Sequence, residues 1–206
     1  KEGNCDFARI GQTYLMSFPE EARMVIDPQA RRADIVVARD RPQRARGSVV
    51  PIAVEFALDL EDQQVVHAAG LSLPAEGGMV LVSAPSGTGK TTTALALARS
   101  GMSFAADDIM VLRREPGSIV AWGLPRALTV HRNTAAMQPW LNLQPQWNAE
   151  GEQAVPRRNL ASGVQLEDRE LPVTRLVLLQ RGERTKMEPV APTYMLAALA
   201  ADNVRN

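Results

Sequence analysis

A glycine-rich loop between an apolar strand and a helix constrains the fold of this chain more than any other feature of its sequence. Residues 79–83 are mostly apolar and β-branched, which is typical of a buried strand. Residues 84–91 read A-P-S-G-T-G-K-T and match the pattern G-x-x-x-x-G-K-[S/T] everywhere except the first position, where alanine stands. Residues 92–99 are rich in alanine and leucine and predict a helix that ends at Ser100 and Gly101. The order of strand, loop and helix predicts an α/β domain.

The residue types of this loop suit the binding of a nucleoside triphosphate. Glycines that take positive φ let successive backbone N–H groups surround an anion, and the start of the helix adds partial positive charge. Lys90 would reach the β- and γ-phosphates, and the Thr91 hydroxyl would coordinate Mg²⁺. The alternative is a glycine-rich turn that begins a helix and binds nothing. The predicted nucleotide contacts are Pro85, Ser86, Gly87, Thr88, Gly89, Lys90, Thr91 and Thr92.

Two adjacent aspartates, Asp107 and Asp108, follow the next apolar run, residues 102–106. A βαβ unit with so short a helix is expected to return the chain beside its first strand, through a right-handed crossover. Both strands would then end at the edge where open α/β sheets bind ligands. One carboxylate could hold Mg²⁺ and the other could accept the proton of an attacking hydroxyl. The alternative is a solvated acidic turn.

Composition argues against several function classes. With 45% apolar and 22% charged residues over 206 positions, the chain is typical of a globular protein. Lys and Arg together number 23, as do Asp and Glu, so no overall field favours nucleic acid or a membrane as the main partner. Cys5 is the only cysteine, which excludes a disulfide within the chain and favours a reducing compartment. We expect a soluble, cytoplasmic protein.

The first 60 residues predict a strand-rich N-terminal layer or lobe, followed by a core over residues 61–206. One continuous domain over the whole chain is the alternative. The segment from Arg31 to Arg46 contains six arginines, including its two ends, and would form either a solvated loop or a docking segment for an acidic peptide or nucleic acid. The β-like runs of this region are residues 14–18, 24–28, 34–37 and 49–58.

A β-hairpin is predicted immediately before the glycine loop. Residues 65–73 would form its first strand, and residues 74–78 would turn the chain into the strand at 79–83. Antiparallel pairing would then place His67 beside the glycine loop, either as a structural histidine or as part of the site. Later segments predict a hairpin at 109–112 and 118–122, a strand at 128–130, a functional or mobile loop at 138–172, a strand at 171–180 and a helix at 192–200.

The stretch from His67 to Asp108 resembles the catalytic domain of HPr kinase/phosphorylase and its wider kinase relatives, which include kinases of lasso-peptide pathways. The residues that carry the resemblance are H-x-x-G-L, a turn, V-L-V-S-A-P-S-G-T-G-K-T-T-T-A-L-A-L-A-R-S-G and F-A-A-D-D. The resemblance implies an α/β fold with a P-loop core of the HPr kinase / phosphoenolpyruvate carboxykinase type. It also implies a homo-oligomer that phosphorylates a serine hydroxyl of a protein or peptide, using a nucleoside triphosphate and Mg²⁺.

By position, the resemblance implies roles for individual residues. Asp108 would be the general base, Asp107 would lie at the metal or its water, and His67 would be the active-site histidine. Arg157 and Arg158 would neutralise charge on the transferring phosphoryl group, or else be exposed loop residues. The family signature E-I-R-G-L-G has no counterpart after Asp108, so neither phosphorylase activity nor HPr as the substrate is implied.

The sequence therefore predicts a kinase that uses Mg²⁺ and ATP or another nucleoside triphosphate. Its acceptor would be a serine-type hydroxyl on a small protein or peptide, such as a lasso-peptide precursor. One alternative is a nucleotide-responsive binding protein without phosphotransfer. Another is a kinase of a small hydroxyl metabolite.

Overall fold

The computed structural model describes residues 5–40 and 49–203. Its backbone divides into two compact units, one up to Gln64 and one from Val65 onward, and each is described by itself. The basic segment predicted from Arg31 to Arg46 is described only as far as Asp40, and residues 41–46, with three of its six arginines, lie outside the described residues.

The N-terminal unit is an antiparallel meander with one helix. The strands β1 (Asp6–Ile10), β2 (Thr13–Phe18), β3 (Ala22–Asp27) and β4 (Arg32–Val37) pair in chain order, and α1 (Val50–Asp59) follows. Burial alternates along β3, where Ala22, Met24 and Ile26 are buried and the residues between them are exposed. The buried side chains form a small core of this unit together with residues of the helix.

Residues 49–58, predicted as a strand, belong instead to the start and body of α1, so that prediction is wrong. Pro51 lies in the first turn, where a missing N–H removes no helical hydrogen bond. The helix places Val49, Ala53 and Phe56 on one face, at spacings of four and three residues, and all three contribute to the same core. The β-branched residues between them suggested a strand, but the 3.6-residue period of the core positions decides the structure.

The second unit, taken together with the two residues of β5 that precede Val65, contains nine strands and three helices within its described residues. The strands are β5 (Gln63–His67), β6 (Ala69–Leu73), β7 (Gly78–Ser83), β8 (Ser103–Ala106), β9 (Ile109–Glu115), β10 (Ser118–Gly123), β11 (Leu128–His131), β12 (Glu152–Val155) and β13 (Leu171–Leu178). The helices are α2 (Lys90–Arg99), α3 (Arg132–Met137) and α4 (Pro192–Asn203). Two 3₁₀ turns, Pro139–Leu141 and Arg157–Ser162, and the strand β12 interrupt the segment predicted as a long loop.

Seven of these strands form one mixed sheet in the order β5-β9-β10-β13-β7-β6-β8. The predicted strand at 65–73 is divided by Ala68 into β5 and β6, which lie far apart in that order. Two strands joined by one residue must be near each other in space, so the sheet curls until its ends meet. Gly123 of β10 accordingly comes so close to β8 that an added Cβ would lie 2.6 Å from the carbonyl oxygen of Ala105.

Two apolar cores hold this unit together. Inside the curl, Met79 and Leu81 of β7 pack with Met110 of β9. On the other face of the sheet, Val82 of β7 packs with Leu95 of α2. Successive residues of β7 therefore serve opposite cores, which explains why the whole strand is buried and apolar.

Strand β8 does not lie beside β7, so the predicted adjacency of the two strands is wrong. Strand β6 pairs antiparallel with both of them and lies between them. The tight turn after β6 lets it occupy one edge of β7, and β13 pairs in parallel along the other edge. Strands β7 and β8 still run in the same direction, because each is antiparallel to β6. Their ends, at Ser83 and Ala106, consequently face the same side of the sheet.

In residues 5–40 and 49–203, no helix is both long enough and apolar enough to cross a bilayer.

Candidate functional site

The ends of β7 and β8 border a cavity of about 800 Å³. It is lined by the glycine loop, by the two aspartates after β8, and by residues from the segment 126–137. Every residue predicted from the sequence to bind nucleotide or metal, or to act in catalysis, lines this cavity, with the exception of Arg157 and Arg158. Residues that are distant in sequence are thus brought to one side of the curled sheet.

The glycine loop has the backbone that an anion nest requires. Gly87 has a φ of 75° and Gly89 a φ of 112°, in the left-handed region that side chains disfavour. A Cβ at either position would meet no atom within 4 Å, so backbone conformation and not space requires glycine here. Gly89 is the N-cap of α2 and supplies no side-chain cap, which leaves the first N–H groups of the helix directed toward the loop.

Alanine at the first position of the motif is compatible with this geometry. Ala84 is fully buried at the end of β7, and it is not among the described residues with positive φ. A residue with a Cβ therefore fits at this position without backbone strain.

A compact cluster at the N-terminus of α2 is formed by Lys90, Asp108 and His67. The Lys90 Nζ donates to Asp108 Oδ1 at 2.8 Å, and His67 Nε2 lies 2.7 Å from each of these two atoms. The hydrogen bonds from His67 and Lys90 hold the pKa of Asp108 well below its ordinary value, so the group is a carboxylate at neutral pH. The same hydrogen bond from His67 to Asp108 raises the pKa of the histidine. Asp108 remains accessible from the cavity, since 45% of its side-chain surface is exposed.

Asp107 occupies a different environment from its neighbour. It is buried, and its Oδ2 accepts a hydrogen bond from the Thr91 hydroxyl at 3.2 Å. Burial, with a further contribution from the charge of Asp108, raises the pKa of Asp107 to about 6. The surroundings thus raise the pKa of Asp107 and lower the pKa of Asp108, which suits the two carboxyl groups to two different tasks.

The Thr91–Asp107 pair supplies oxygen ligands of the type that Mg²⁺ prefers. A buried carboxylate is costly without a counter-charge, so a cation beside Asp107 would remove a penalty that the metal-free fold carries. Among the described residues, no group of three or more His, Cys, Asp or Glu side chains is arranged so that it could hold a metal ion by itself. A magnesium site completed by phosphates and water needs only one or two carboxylates, so the residues present fit this ion.

Two arginines that the sequence did not single out line the same cavity, Arg126 and Arg181. The guanidinium of Arg181 donates to the carbonyl oxygen of Gly87 at 2.7 Å, which places a positive charge against the glycine loop. Arg181 follows β13, and because β13 runs parallel to β7, both strands deliver the chain to the same edge. A basic residue just after the predicted strand at 171–180 was the signal that could have indicated it.

The structure contradicts the predicted role of Arg157. Its guanidinium donates to the carbonyl oxygens of Phe104 and Ala105, each at 3.2 Å, and pairs with Asp168 at 2.5 Å. These bonds brace β8 from outside the cavity and leave the charge engaged by protein groups. Arg158 is exposed and also lies outside the cavity lining. Neither residue is placed to neutralise charge on a group bound at the glycine loop.

The last turn of α4 also reaches this site, which the sequence did not predict. Asp202 and Asn203 both contact His67, and they stand more than a hundred residues away from it in the chain. A separation of that size leaves no local pattern from which the contact could have been inferred.

No protein-family model and no curated protein matches the chain. Among solved structures, the HPr(Ser) kinase/phosphatase from Coxiella burnetii is similar over 63% of this chain and 73% of its own, with 18% sequence identity and a TM-score of 0.40.

Proposed function

We propose that this chain is a kinase that transfers the terminal phosphoryl group of a nucleoside triphosphate to a hydroxyl. One observation carries the proposal. Lys90, which would hold the β- and γ-phosphates, lies 2.8 Å from Asp108, the carboxylate that would receive the hydroxyl proton, and both line one cavity. Donor and acceptor would therefore meet at a single point, as phosphoryl transfer requires.

The nucleotide would bind with its phosphates on the glycine loop. The positive φ angles of Gly87 and Gly89 and the start of α2 direct N–H groups at the same place. Arg181 would add a guanidinium to these donors, in the role that the sequence had predicted for Arg157. A cavity of about 800 Å³ falls within the range of small-molecule sites and leaves room for an acceptor group beside the phosphates.

Thr91 and Asp107 would hold Mg²⁺ between them. When bound there, the ion would supply positive charge that offsets the negative charge developing on the phosphoryl oxygens. Asp107 is the better of the two aspartates for this task because it is buried and already contacts Thr91. Asp108 is the better base because it is accessible from the cavity.

The contact between Lys90 and Asp108 suggests how binding and reactivity are linked. An entering triphosphate would draw the Lys90 ammonium from the carboxylate to the phosphate oxygens. Asp108 would then lose one of the cations that hold its pKa down, and it would become a stronger base next to the acceptor. The hydroxyl oxygen would bond to the γ-phosphorus, its proton would pass to Asp108, and the bond to the bridging oxygen would break to release the nucleoside diphosphate.

The proposal also specifies the phosphoryl donor and the class of acceptor. The resemblance of residues 67–108 to HPr kinase-like enzymes supports ATP as the donor and a serine-type hydroxyl on a small protein or peptide as the acceptor, including the precursor of a peptide natural product. Asp108 lines the cavity with 45% of its side-chain surface exposed, and among the described lining residues none distinguishes a peptide from a free hydroxyl compound. An assay must therefore offer both kinds of acceptor.

The test is transfer of label from γ-labelled ATP in the presence of Mg²⁺. Serine-containing peptides, the same peptides with alanine in place of serine, and free serine would be offered in parallel, and the modified residue would be mapped by mass spectrometry. We expect label only on the hydroxyl-bearing acceptors, and none when Mg²⁺ is removed by chelation.

Two variants separate binding from chemistry. Lys90→Ala should abolish both nucleotide binding and transfer. Asp108→Asn should leave nucleotide affinity equal or tighter, because Lys90 is released, while turnover falls by about 10²- to 10⁴-fold. Near-normal turnover in Asp108→Asn would show that the base is assigned incorrectly. Nucleotide binding without label on any acceptor would indicate a nucleotide-responsive binding protein instead.

A further inference from the structure

The end of α4 holds His67 at two points. The side-chain oxygen Oδ1 of Asn203 accepts a hydrogen bond from the backbone N–H of His67 at 2.6 Å. The Oδ2 atom of Asp202 lies 3.1 Å from the ring nitrogen Nδ1. Asn203 is itself fixed, since its Nδ2 donates to the carbonyl oxygen of Leu199 at 2.8 Å. Backbone and ring of the histidine are therefore both set by one helix end.

These contacts determine which ring nitrogen carries the proton. An ionised carboxylate can only accept, so Nδ1 must donate to Asp202. On the opposite side of the ring, Nε2 lies 2.7 Å both from the Lys90 ammonium, which can only donate, and from the Asp108 carboxylate, which can only accept. In the charged ring Nε2 donates to Asp108. In the neutral ring the hydrogen bond from Nδ1 to Asp202 keeps the hydrogen on Nδ1 and leaves the lone pair of Nε2 for Lys90. The charged groups that face the ring are Asp202 from α4, Lys90 from α2 and Asp108 after β8.

We propose that Asp202 is a positioning residue, which fixes the tautomer and orientation of His67 so that Nε2 faces Lys90 and Asp108. This inference rests on the proposed kinase function, since its consequence is the placement of the two groups that would meet donor and acceptor. With a lone pair on Nε2, the His67 ring and the Asp108 carboxylate both accept hydrogen bonds from the Lys90 ammonium. The ammonium is thereby held between these two acceptors. The C-terminal helix is then a part of the site and not merely an addition to the fold.

Burial supports a role for the charge of Asp202. Only 18% of its side-chain surface is exposed, against 32% for His67, so the pair is partly shielded from water. A carboxylate in that setting acts more strongly on its neighbour than one on an open surface.

The direct test is NMR spectroscopy of the full chain labelled with ¹⁵N-histidine, without nucleotide. The chain has two histidines, so a His131→Gln variant assigns the remaining signals to His67. We expect the tautomer with hydrogen on Nδ1 at high pH. We also expect Asp202→Asn to lower the pKa of His67 by about one pH unit or more, since a facing carboxylate is lost, and Asp202→Glu to restore most of it. Hydrogen on Nε2 in the wild type, or an unchanged pKa in Asp202→Asn, would overturn the inference.

Kinetics give the second readout. Asp202→Asn should lower kcat by about tenfold to a hundredfold, the same range as for partners that orient metal-ligating histidines, with little change in nucleotide affinity. Asp202→Glu should recover part of this loss, and Glu183→Gln, which removes an exposed charge outside the cavity lining, should leave kcat unchanged. If Asp202→Asn lowers only the free energy of unfolding, with the pKa of His67 and kcat unchanged, the residue is a structural anchor. Failure of the kinase proposal would show as absent turnover in the wild type, whereas the NMR result does not depend on turnover.

Discussion

Replacing Asp107 by asparagine should stabilise the metal-free protein at pH 8, by an amount that decreases as the pH is lowered. Asp107 is 5% exposed, and the folded state raises its pKa from 3.8 to about 6. The fold thus favours the protonated acid and penalises the carboxylate. Asparagine has nearly the same shape and can still accept the hydrogen bond from Thr91, but it carries no charge.

The magnitude follows from the difference between the two pKa values of Asp107. Below pH 3.8 the acid is protonated in the folded and unfolded states alike, and the penalty is absent. Between pH 3.8 and about 6 the unfolded chain loses its proton first, so the folded state becomes relatively less stable. Above this window the penalty is complete, at roughly 3 kcal/mol for a difference of about two pH units. At pH 5 about half of it should be present.

The assay is denaturant unfolding of wild type and Asp107→Asn in chelator, at pH 5 and pH 8. We expect the variant to be more stable by roughly 3 kcal/mol at pH 8 and by roughly half of that at pH 5. Glu183→Gln is the matched control, because it removes an exposed carboxylate, and it should show no such dependence. Added Mg²⁺ should stabilise the wild type and not the variant, if Asp107 is a ligand of the ion.

Equal stabilisation of Asp107→Asn at the two pH values would refute this reasoning, since it would mean that the carboxylate is not penalised by burial. A variant that is less stable than wild type at pH 8 would show that the Asp107 charge is already compensated within the metal-free fold. Magnesium that stabilises both proteins equally would leave the burial argument intact but remove Asp107 from the metal site.

Arg181→Gln should lower turnover by about a hundredfold, because its guanidinium lies at the glycine loop where negative charge would develop. Arg158→Gln, at an exposed arginine outside the cavity lining, is its control, and equal turnover in the two variants would contradict the assignment. Arg157→Ala should lower the free energy of unfolding by roughly 3 kcal/mol, since backbone carbonyls of β8 lose a charged donor. Turnover per folded molecule should change little in Arg157→Ala. A large loss of turnover with an unchanged free energy of unfolding would instead show that Arg157 acts in the reaction.

Local sequence signals predicted much of the site. The apolar run at β7, the glycines with positive φ and the alanine-rich α2 are consecutive in the chain, so each constrains its neighbours directly. His67 was expected near the loop because a tight turn between two apolar runs fixes an antiparallel pair. The structure places it against Lys90 and Asp108, but on β5, which Ala68 separates from the strand β6 that pairs with β7.

The errors arise where two local signals conflict or where a contact spans a long separation. In α1, β-branched residues favoured a strand, and the core of the N-terminal unit selected helical spacing. Either β6 or β8 could have paired along the edge of β7 that β13 leaves free. A turn of a few residues joins β6 to β7, so β6 pairs there and β8 pairs with β6. A pair of adjacent arginines suggested phosphate contacts, but carbonyls exposed by β8 bind Arg157 instead.

The amino-acid sequence alone determined the glycine loop between β7 and α2, the acidic pair after β8 and the hairpin of β6 and β7, because each is specified by residues within a few positions of one another. Only the tertiary structure decided that Arg181 lies at the loop, that Arg157 does not, and that Asp202 contacts the His67 ring. The physical reason is the curled sheet. Its strand order brings the ends of β7, β8 and β13 together, and side chains from distant parts of the chain become neighbours only after that sheet has closed.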